Sequence, residues 1–586
     1  MYMQSAIKTY SRKKKIVRCP VADGVERLFP GIHPVLARVY AARKITSAKS
    51  LDYSLSRLKS FDTLSGIESA AALLADAIQS GDRILIVGDF DADGATSCAV
   101  AVRGLRVMGA QAVEYLVPNR FEYGYGLTPE IVSVALQKNP DVLITVDNGI
   151  SSMEGIAMAK AHGIRVVVTD HHLPGASLPD ADVLVNPNLD EDQFPSKYLA
   201  GVGVIFYVLL ALRSRLRENG WFGNSGIAEP NLANLLDLVA LGTVADVVPL
   251  DDNNRILVAQ GLSRIRNGRC QAGTKALLTI SGRDLVRVVA GDLAFAVGPR
   301  LNAAGRLTDM SLGIECLLTD QAERAFELAT QLDRLNHKRQ GIESTMQSQA
   351  LLLLDKMEPD DAELPFGLCL YDETWHPGII GIVAARIKDR VYRPVIAFAK
   401  SGEDEIKGSA RSIPGLHIRD TLSAIATRSP ELIIRFGGHA MAAGLTIRHS
   451  DLAMFRRAFD TEVRRHLPPE ALQKILYTDG PLDEADLNLA LAETLRAGGP
   501  WGQAFPEPLF DGEFNLLRRR TVGNSHLKLL LGLPSSRQRI DAIAFNTNDD
   551  DWPEDTNRVR IVYRLDVNTF QGRRNLQLIV EYIEPR

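Results

Sequence analysis

Between about residues 47 and 262, short apolar runs alternate with amphipathic helical patterns, the arrangement of a parallel sheet wrapped by helices. Three runs, Arg83 to Val87, Val142 to Val146 and Arg165 to Thr169, are short, rich in β-branched residues and almost continuously apolar, as strands buried on both faces are. Each runs out into an acidic residue (Asp89, Asp147, Asp170), which in an open α/β sheet falls at the strand end where ligands bind. From Asp320 to Met357 the apolar positions recur by threes and fours with one skipped turn at Arg339, predicting one long helix capped by Asp320 and Glu323 and stopped by Glu358-Pro359. At 1.5 Å per residue it is on the order of 55 Å long and bridges two lobes. A second α/β pattern follows to about His449. Beyond Pro468-Pro469, strand-like runs such as Val559 to Val567 and Leu576 to Ile583 predict a small β-barrel.

With 586 residues the chain is long enough for several domains, each with its own core. Lys plus Arg is 67 and Asp plus Glu is 71, a net charge of −4, so a polyanion must be met by a local patch rather than by overall basicity. No apolar run approaches a membrane span and the start carries no signal-peptide core, which predicts a cytoplasmic protein that does not engage a membrane. Five scattered cysteines, none in a C-x-x-C pair, indicate neither a disulfide framework nor a structural zinc site.

The densest chemical signal is Gly88-Asp89-Phe90-Asp91-Ala92-Asp93-Gly94. An EF-hand loop would need a bidentate Glu at its twelfth position, which is Val100, and a helix cap would need only one of the carboxylates. Three crowded negative charges call for cations. Asp170-His171-His172 places two of the chain's 11 histidines side by side next to a carboxylate, a mixture of imidazole and oxygen donors suited to manganese, iron or zinc. Asp147, alone, also reads as a simple N-cap, and Asp246 in Ala-Asp-Val-Val-Pro is only suggestive. No G-x-x-x-x-G-K-[ST] or G-x-S-x-G stretch exists, which argues against an ATP-driven motor and a covalent serine route.

In this order and spacing, Asp-x-Asp-x-Asp-Gly, Val-Asp-Asn-Gly, Asp-His-His and Ala-Asp-Val-Val-Pro resemble motifs I to IV of the DHH phosphoesterase superfamily, and Gly437-Gly438-His439-Ala440-Met441-Ala442-Ala443-Gly444 resembles the glycine-rich signature of its associated domain. The resemblance is closest to the bacterial single-strand-specific exonucleases of that superfamily and covers nearly the whole chain. It implies an α/β protein: a parallel-sheet DHH phosphoesterase domain, a long connecting helix, a second α/β DHH-associated domain and a C-terminal OB-like barrel. The expected boundaries are 1–46 for an N-terminal arm, 47–265 for the catalytic domain, 266–357 for the connection, 358–467 for the associated, substrate-binding domain and 468–586 for the barrel. It also implies two divalent cations, Mn2+ or Mg2+, on Asp91, Asp93, Asp147, His171 and Asp246, with Asp147 the bridge. Asp89, Asp170 and His172 are the implied catalytic neighbours, His172 beside the scissile phosphate. Several superfamily members carry a histidine where this chain has Val87, so one cation here has fewer protein ligands.

The activity so implied is 5′-to-3′ hydrolysis of single-stranded DNA to nucleoside 5′-monophosphates by a two-metal mechanism, in repair and recombination. The implied partners are single-stranded DNA, a single-strand-binding protein and a helicase, around a monomeric chain. Expected substrate contacts are Arg120, Tyr125, Arg300, Asn302, Arg306, His376, Ser409, Arg411, Ser412, Gly437, Gly438, His439, Arg518, Arg519, Arg520 and Lys528. The Arg12 to Lys15 run reads either as an accessory DNA contact or as a solvated arm. Two other readings compete: a phosphodiesterase for short oligonucleotides or cyclic dinucleotides, which would lack the barrel, and a non-catalytic replication scaffold, which would have lost the metal carboxylates.

Overall fold

The computed structural model describes residues 14–119, 126–357, 364–523, 526–533, 538–545, 547, 556–570 and 572–586. They divide into two compact units, one built from 20–336 with the C-terminal barrel, the other from the N-terminal strand and 337–478.

The first unit is organised around five parallel strands, Arg83–Gly88 (β1), Ala112–Leu116 (β2), Val142–Val146 (β3), Arg165–Thr169 (β4) and Val183–Val185 (β5). Their order across the sheet is β2-β1-β3-β4-β5, every pair parallel. β1, β3 and β4 are the apolar runs read from the sequence; β2 and β5 complete the edges. Leu85, Val87, Leu143, Val166 and Val168 pack with Leu127, Ile131 and Ile156 to fill one face, and burial on both faces explains why these strands do not alternate polar with apolar. The order reverses direction between β1 and β3, and such switch points open a crevice at the carboxyl ends of the strands. Asp89 and Asp147 follow those two ends.

Helix Ala92–Val107 returns from β1, and Val100, the position where a calcium loop would need Glu, is buried within it. Gly305, on helix Gly298–Leu307, lies against the start of this segment: a methyl group built there would overlap the Phe90 carbonyl oxygen. The predicted long helix runs Ala322–Met357 and passes from one unit into the other at His337. It begins two residues later than the expected cap, because Asp320 accepts a hydrogen bond from Arg103 Nη2 at 2.8 Å and is committed elsewhere. The skipped turn at Arg339 is an interior ion pair: Arg339 Nη1 donates to Glu343 Oε2 at 2.6 Å, and both side chains are buried.

The barrel closes from Phe510–Val522, His526–Gly532, Arg539–Ala544, Arg558–Phe570 and Arg573–Pro585, in which Leu527, Leu529 and Leu531 alternate inward. The second unit holds a five-stranded mixed sheet with Leu368–Tyr371, Val395–Lys400, Glu405–Arg411, Arg435–Gly438 and Ala442–Arg448. Its core gathers Ile396, Phe398, Ile406, Leu445, Phe455 and Phe459. In the same unit Lys15–Arg18, part of the stretch expected to be an N-terminal arm, pairs in parallel with Ile475–Thr478. Among the described residues no helix is long and apolar enough to cross a membrane.

Because no room exists for a side chain at Gly305, Gly305→Ala should push helix Gly298–Leu307 off the Phe90 carbonyl and cost about 1–3 kcal/mol. Denaturant melts of the two chains measure this directly. A melt identical to the parent would show that the contact does not constrain the helix.

Candidate metal centre

The acidic cluster is assembled by backbone geometry before any ion is considered. Asp91 caps helix Ala92–Val107, its Oδ1 accepting from the amides of Asp93 at 2.9 Å and Gly94 at 3.0 Å. Asp93, one turn in, is buried and accepts from Gly201 N at 2.6 Å and Val202 N at 3.0 Å, the first amides of helix Gly201–Glu218. A helix N-terminus carries partial positive charge, so this helix offsets the carboxylate it touches. Only glycine fits at 201: a Cβ there would overlap the Asp147 side chain.

Asp147 takes a left-handed backbone, φ +62°, which aspartate tolerates better than most residues. That turn lets its amide bond Thr169 O at 3.1 Å across the strand ends while its carboxylate faces the cluster. Asn148 Nδ2 braces the turn on the carbonyls of Val87 and Val146. His171 Nε2 lies 3.1 Å from Asp147 Oδ1 and 3.5 Å from Asp246 Oδ2. Asp246 is the C-cap of helix Leu236–Ala245.

Asp170 has both oxygens committed. Oδ2 accepts from Ile150 N at 2.9 Å; Oδ1 accepts from His171 N at 2.7 Å, His172 N at 3.1 Å and His172 Nδ1 at 2.7 Å. It therefore aims the two histidines, and Asn188 and Asn186 hold their backbone carbonyls at 2.6 and 2.8 Å.

Three groups of side chains bring ligand atoms within 4.8 Å of one another: Asp89, Asp91 and Asp147; Asp93, His171 and Asp246; and Asp147, His171 and His172. Asp147 and His171 each belong to two of them. Burial raises the Asp93 and Asp147 carboxyls well above the ordinary carboxylate range, and repulsion from their acidic neighbours adds to it. Burial likewise raises Asp246, with the neighbouring His171 opposing. The same desolvation lowers His171, favouring the neutral ring that binds metals. Carboxylates crowded this way, with one neutral imidazole, fit a pair of hard-to-borderline dications such as Mn2+ or Mg2+. Asp89, anticipated as a catalytic neighbour, thus lies in the same donor set as Asp91 and Asp147.

His172 differs. Burial works against its charge, yet the hydrogen bond to Asp170 and that carboxylate's charge prevail and raise it to about 9. Asp170 responds in kind: burial alone would raise it, but His172 keeps it low.

The other anticipated contacts separate into two groups. Asn302 Oδ1 accepts from Ala92 N at 2.8 Å, and Arg300 is held by Asp333 and the Ala296 carbonyl, so both residues brace the metal loop and its supporting helix. Arg306, on the same helix, is half-buried. Arg120 and Tyr125 lie outside the described residues, as do Arg12 and Lys13.

In the second unit, Arg411 Nη1 donates to Ser409 Oγ at 3.1 Å and to its neighbour's carbonyl, Ala410 O, at 2.8 Å, packed against Gly381 at the start of helix Ile380–Val391. Burial lowers its guanidinium, and among the described residues it has no carboxylate ion pair. Ser412 is buried, its hydroxyl donating to Leu416 O at 2.8 Å, a packing role rather than an exposed contact. His376 Nδ1 accepts from Gly378 N at 3.1 Å. Gly437 and Gly438 pair with Gly444 and Ala443, Gly438 at φ +145°, and His439 N closes the hairpin on Ala442 O at 2.8 Å.

In the barrel the arginine triplet does not form one patch. Arg519 pairs with the inward Leu529, whereas Arg518 and Arg520 pair with Leu530 and Lys528 on the outer face, where Lys528 Nζ lies 3.7 Å from Asp541. The residues that sequence reading missed are Gly201, Val202, Asn186 and Asn188, while Asn148 stood in the Val-Asp-Asn-Gly motif with no role given to it. Only the glycine opening an apolar helix and the Asn-Pro-Asn turn hinted at them.

Family models match the chain over residues 83–243 (DHH family, N-terminal domain), 365–465 (DHHA1 domain) and 478–582 (RecJ OB domain). The chain is 52% identical over 575 residues to the single-stranded-DNA-specific exonuclease RecJ of Salmonella typhimurium, covering 98% of this chain and 100% of that one. It is 31% identical to the RecJ of Bacillus subtilis, over 97% of this chain and 71% of its relative. Among solved structures it resembles RecJ of Thermus thermophilus in complex with Mn2+, with a TM-score of 0.80 and 30% identity, covering 98% of this chain and 79% of that one. The Mg2+ complex of that protein gives 0.74 and 28%, with 98% and 78% covered.

Two outcomes are expected of this centre. Titration calorimetry with Mn2+ should find two ions per chain, and Asp147→Asn should eliminate at least one; undiminished stoichiometry would remove Asp147 from the ligand set. In the metal-free chain, NMR titration should place the His172 imidazole near 9, and Asp170→Asn should bring it down by more than a unit. Because the folded value exceeds the ordinary 6.5, the stability this pair contributes is present below about pH 6.5 and is lost as pH rises through about 9.

Proposed function

The chain belongs to the RecJ family of single-stranded-DNA-specific exonucleases, and from that premise we propose that it shortens single-stranded DNA from the 5′ end, releasing nucleoside 5′-monophosphates at a two-cation centre in repair and recombination. The observation that carries the reading is the overlap of the donor groups: Asp147 and His171 each take part in two of the three, so neighbouring ions would share ligands. In this assignment Asp89 and Asp91 would hold one ion and Asp93, His171 and Asp246 the other, with Asp147, 3.1 Å from His171, shared between them. When bound, such a pair activates water and neutralises charge on a phosphoryl centre.

The side chains then divide the work. Asp147 keeps the two donor groups in register. Asp170 orients His172 and favours its protonated form, in which the ring donates through Nδ1 to Asp170 and would offer its second N–H to a phosphate oxygen. Arg411, a half-buried guanidinium supported by Ser409, suits a DNA phosphate in the second unit, as do the Gly437-Gly438-His439 hairpin, whose partner strand pairs with Arg411, and His376. On the barrel, Arg518, Arg520 and Lys528 on the outer face suit backbone tracking without base readout. Arg300, Asn302 and Ser412, with their polar atoms engaged inside the fold, are left out of the DNA contacts.

Oligonucleotides labelled at either end, single-stranded or duplex, digested with and without a chelator, test this reading in one experiment. The 5′ label should leave first, as a mononucleotide, from single strands only and only with Mn2+ or Mg2+. Activity that survives exhaustive chelation, or release that begins at the 3′ label, would overturn it.

A further inference from the structure

Val247 follows Asp246 in the position just past helix Leu236–Ala245, where chains commonly turn left-handed on a glycine. Here the turn is left-handed, φ +63°, yet the residue is β-branched, the class that fits that conformation worst. Strain at this position is not offset by burial, because Val247 is 59% exposed. Glycine would occupy the turn without strain, so the isopropyl group itself needs a use. Strained residues of this kind gather at functional sites.

Two other exposed large apolar side chains lie close in sequence to residues of the same cluster. Leu173, 63% exposed, is the residue after His172, and Tyr198, 52% exposed, lies three residues before the Gly201 amide that holds Asp93. The framework linking them is explicit. Asn254 Nδ2 donates to Tyr198 O at 2.6 Å and to Pro249 O at 2.9 Å, tying the Tyr198 segment to the turn that carries Val247. Asp246, bonded to Val247, lies 3.5 Å from His171, which is two residues from Leu173.

We propose that Leu173, Tyr198 and Val247 form an apolar lip that holds the bases of the strand whose phosphate occupies the metal centre. This inference rests on the exonuclease reading. Charged phosphates belong with the cations that the cluster would hold, whereas bases have apolar faces that every sequence shares. Contacts of that kind would hold a strand end without reading its sequence. The lip residues adjoin in sequence the residues that set the acidic cluster, so the strand's bases and its phosphate would be gripped from the same three segments of backbone. These are positioning residues for substrate.

The test compares Val247→Gly, Leu173→Ser and Tyr198→Ser in the full chain, using oligodeoxythymidine and the same oligomer with abasic sugars at its 5′ end. On the normal oligomer each variant should raise KM about fivefold, in keeping with the loss of one base contact, with kcat little changed. Mn2+ affinity by calorimetry should stay within about twofold, and Val247→Gly should melt no lower than the parent. On the abasic oligomer the parent should itself show the raised KM and the variants should add nothing. Unchanged KM in all three, an equal penalty on the abasic oligomer, weakened Mn2+ binding or a lower melting point for Val247→Gly would each overturn the lip. A parent that binds Mn2+ but leaves single strands intact would overturn the exonuclease reading instead, which keeps the two failures apart.

Discussion

Five carboxylates, Asp89, Asp91, Asp93, Asp147 and Asp246, are held in a largely dehydrated pocket where their mutual repulsion has to be answered. Much of the surrounding architecture is that answer. Asp91 gives one oxygen to two amides of its own helix, and Asp93 is met by the first amides of another helix. Asp147 sits on a left-handed turn braced by Asn148, and Asp246 lies opposite the His171 ring. The fixed partial charges of helix ends and amides need no reorganisation, so the pocket is set for cations and not for the collapse of a flexible side chain into it.

The sheet order explains why this crowding occurs where it does. Asp89 and Asp147 follow the two strands between which the winding reverses, Asp170 follows the next, and the helices returning from opposite directions leave a crevice there. Asp170 lies close by but differs in kind: its oxygens are engaged by the Ile150 amide and by His171 and His172, so it orients the histidines. One Asp-His-His triplet thereby holds an orienting carboxylate, a ring that burial pushes toward the neutral form and a ring that the Asp170 hydrogen bond pushes toward the protonated form.

Much of this was legible in the sequence because burial and chemistry leave local marks. Continuous β-branched runs announced β1, β3 and β4, and acidic residues at their ends announced the centre. The positions of Gly201, Asn302 and Ser412 were not legible, for a common reason: which acceptor or donor a polar group meets is decided by packing between segments far apart in the chain. Asn302 accepts from the first amide of a helix about 210 residues away and Gly201 bonds a carboxylate about 108 residues back. The Arg518 to Arg520 triplet read as one patch because sequence proximity hides the strand's alternation, which sends Arg519 to the opposite face. Asp320 has the spacing of a cap, but Arg103 claims its carboxylate from across the fold.

The central claim is that a shared carboxylate, Asp147, joins two cation sites. Anomalous diffraction at the manganese edge, on crystals of the full chain grown with Mn2+, measures this most directly. The account predicts two peaks about 3.5–4 Å apart, with Asp147 reaching both, Asp89 and Asp91 beside one and His171 and Asp246 beside the other. A single peak, or a second one out of reach of Asp147, would contradict it.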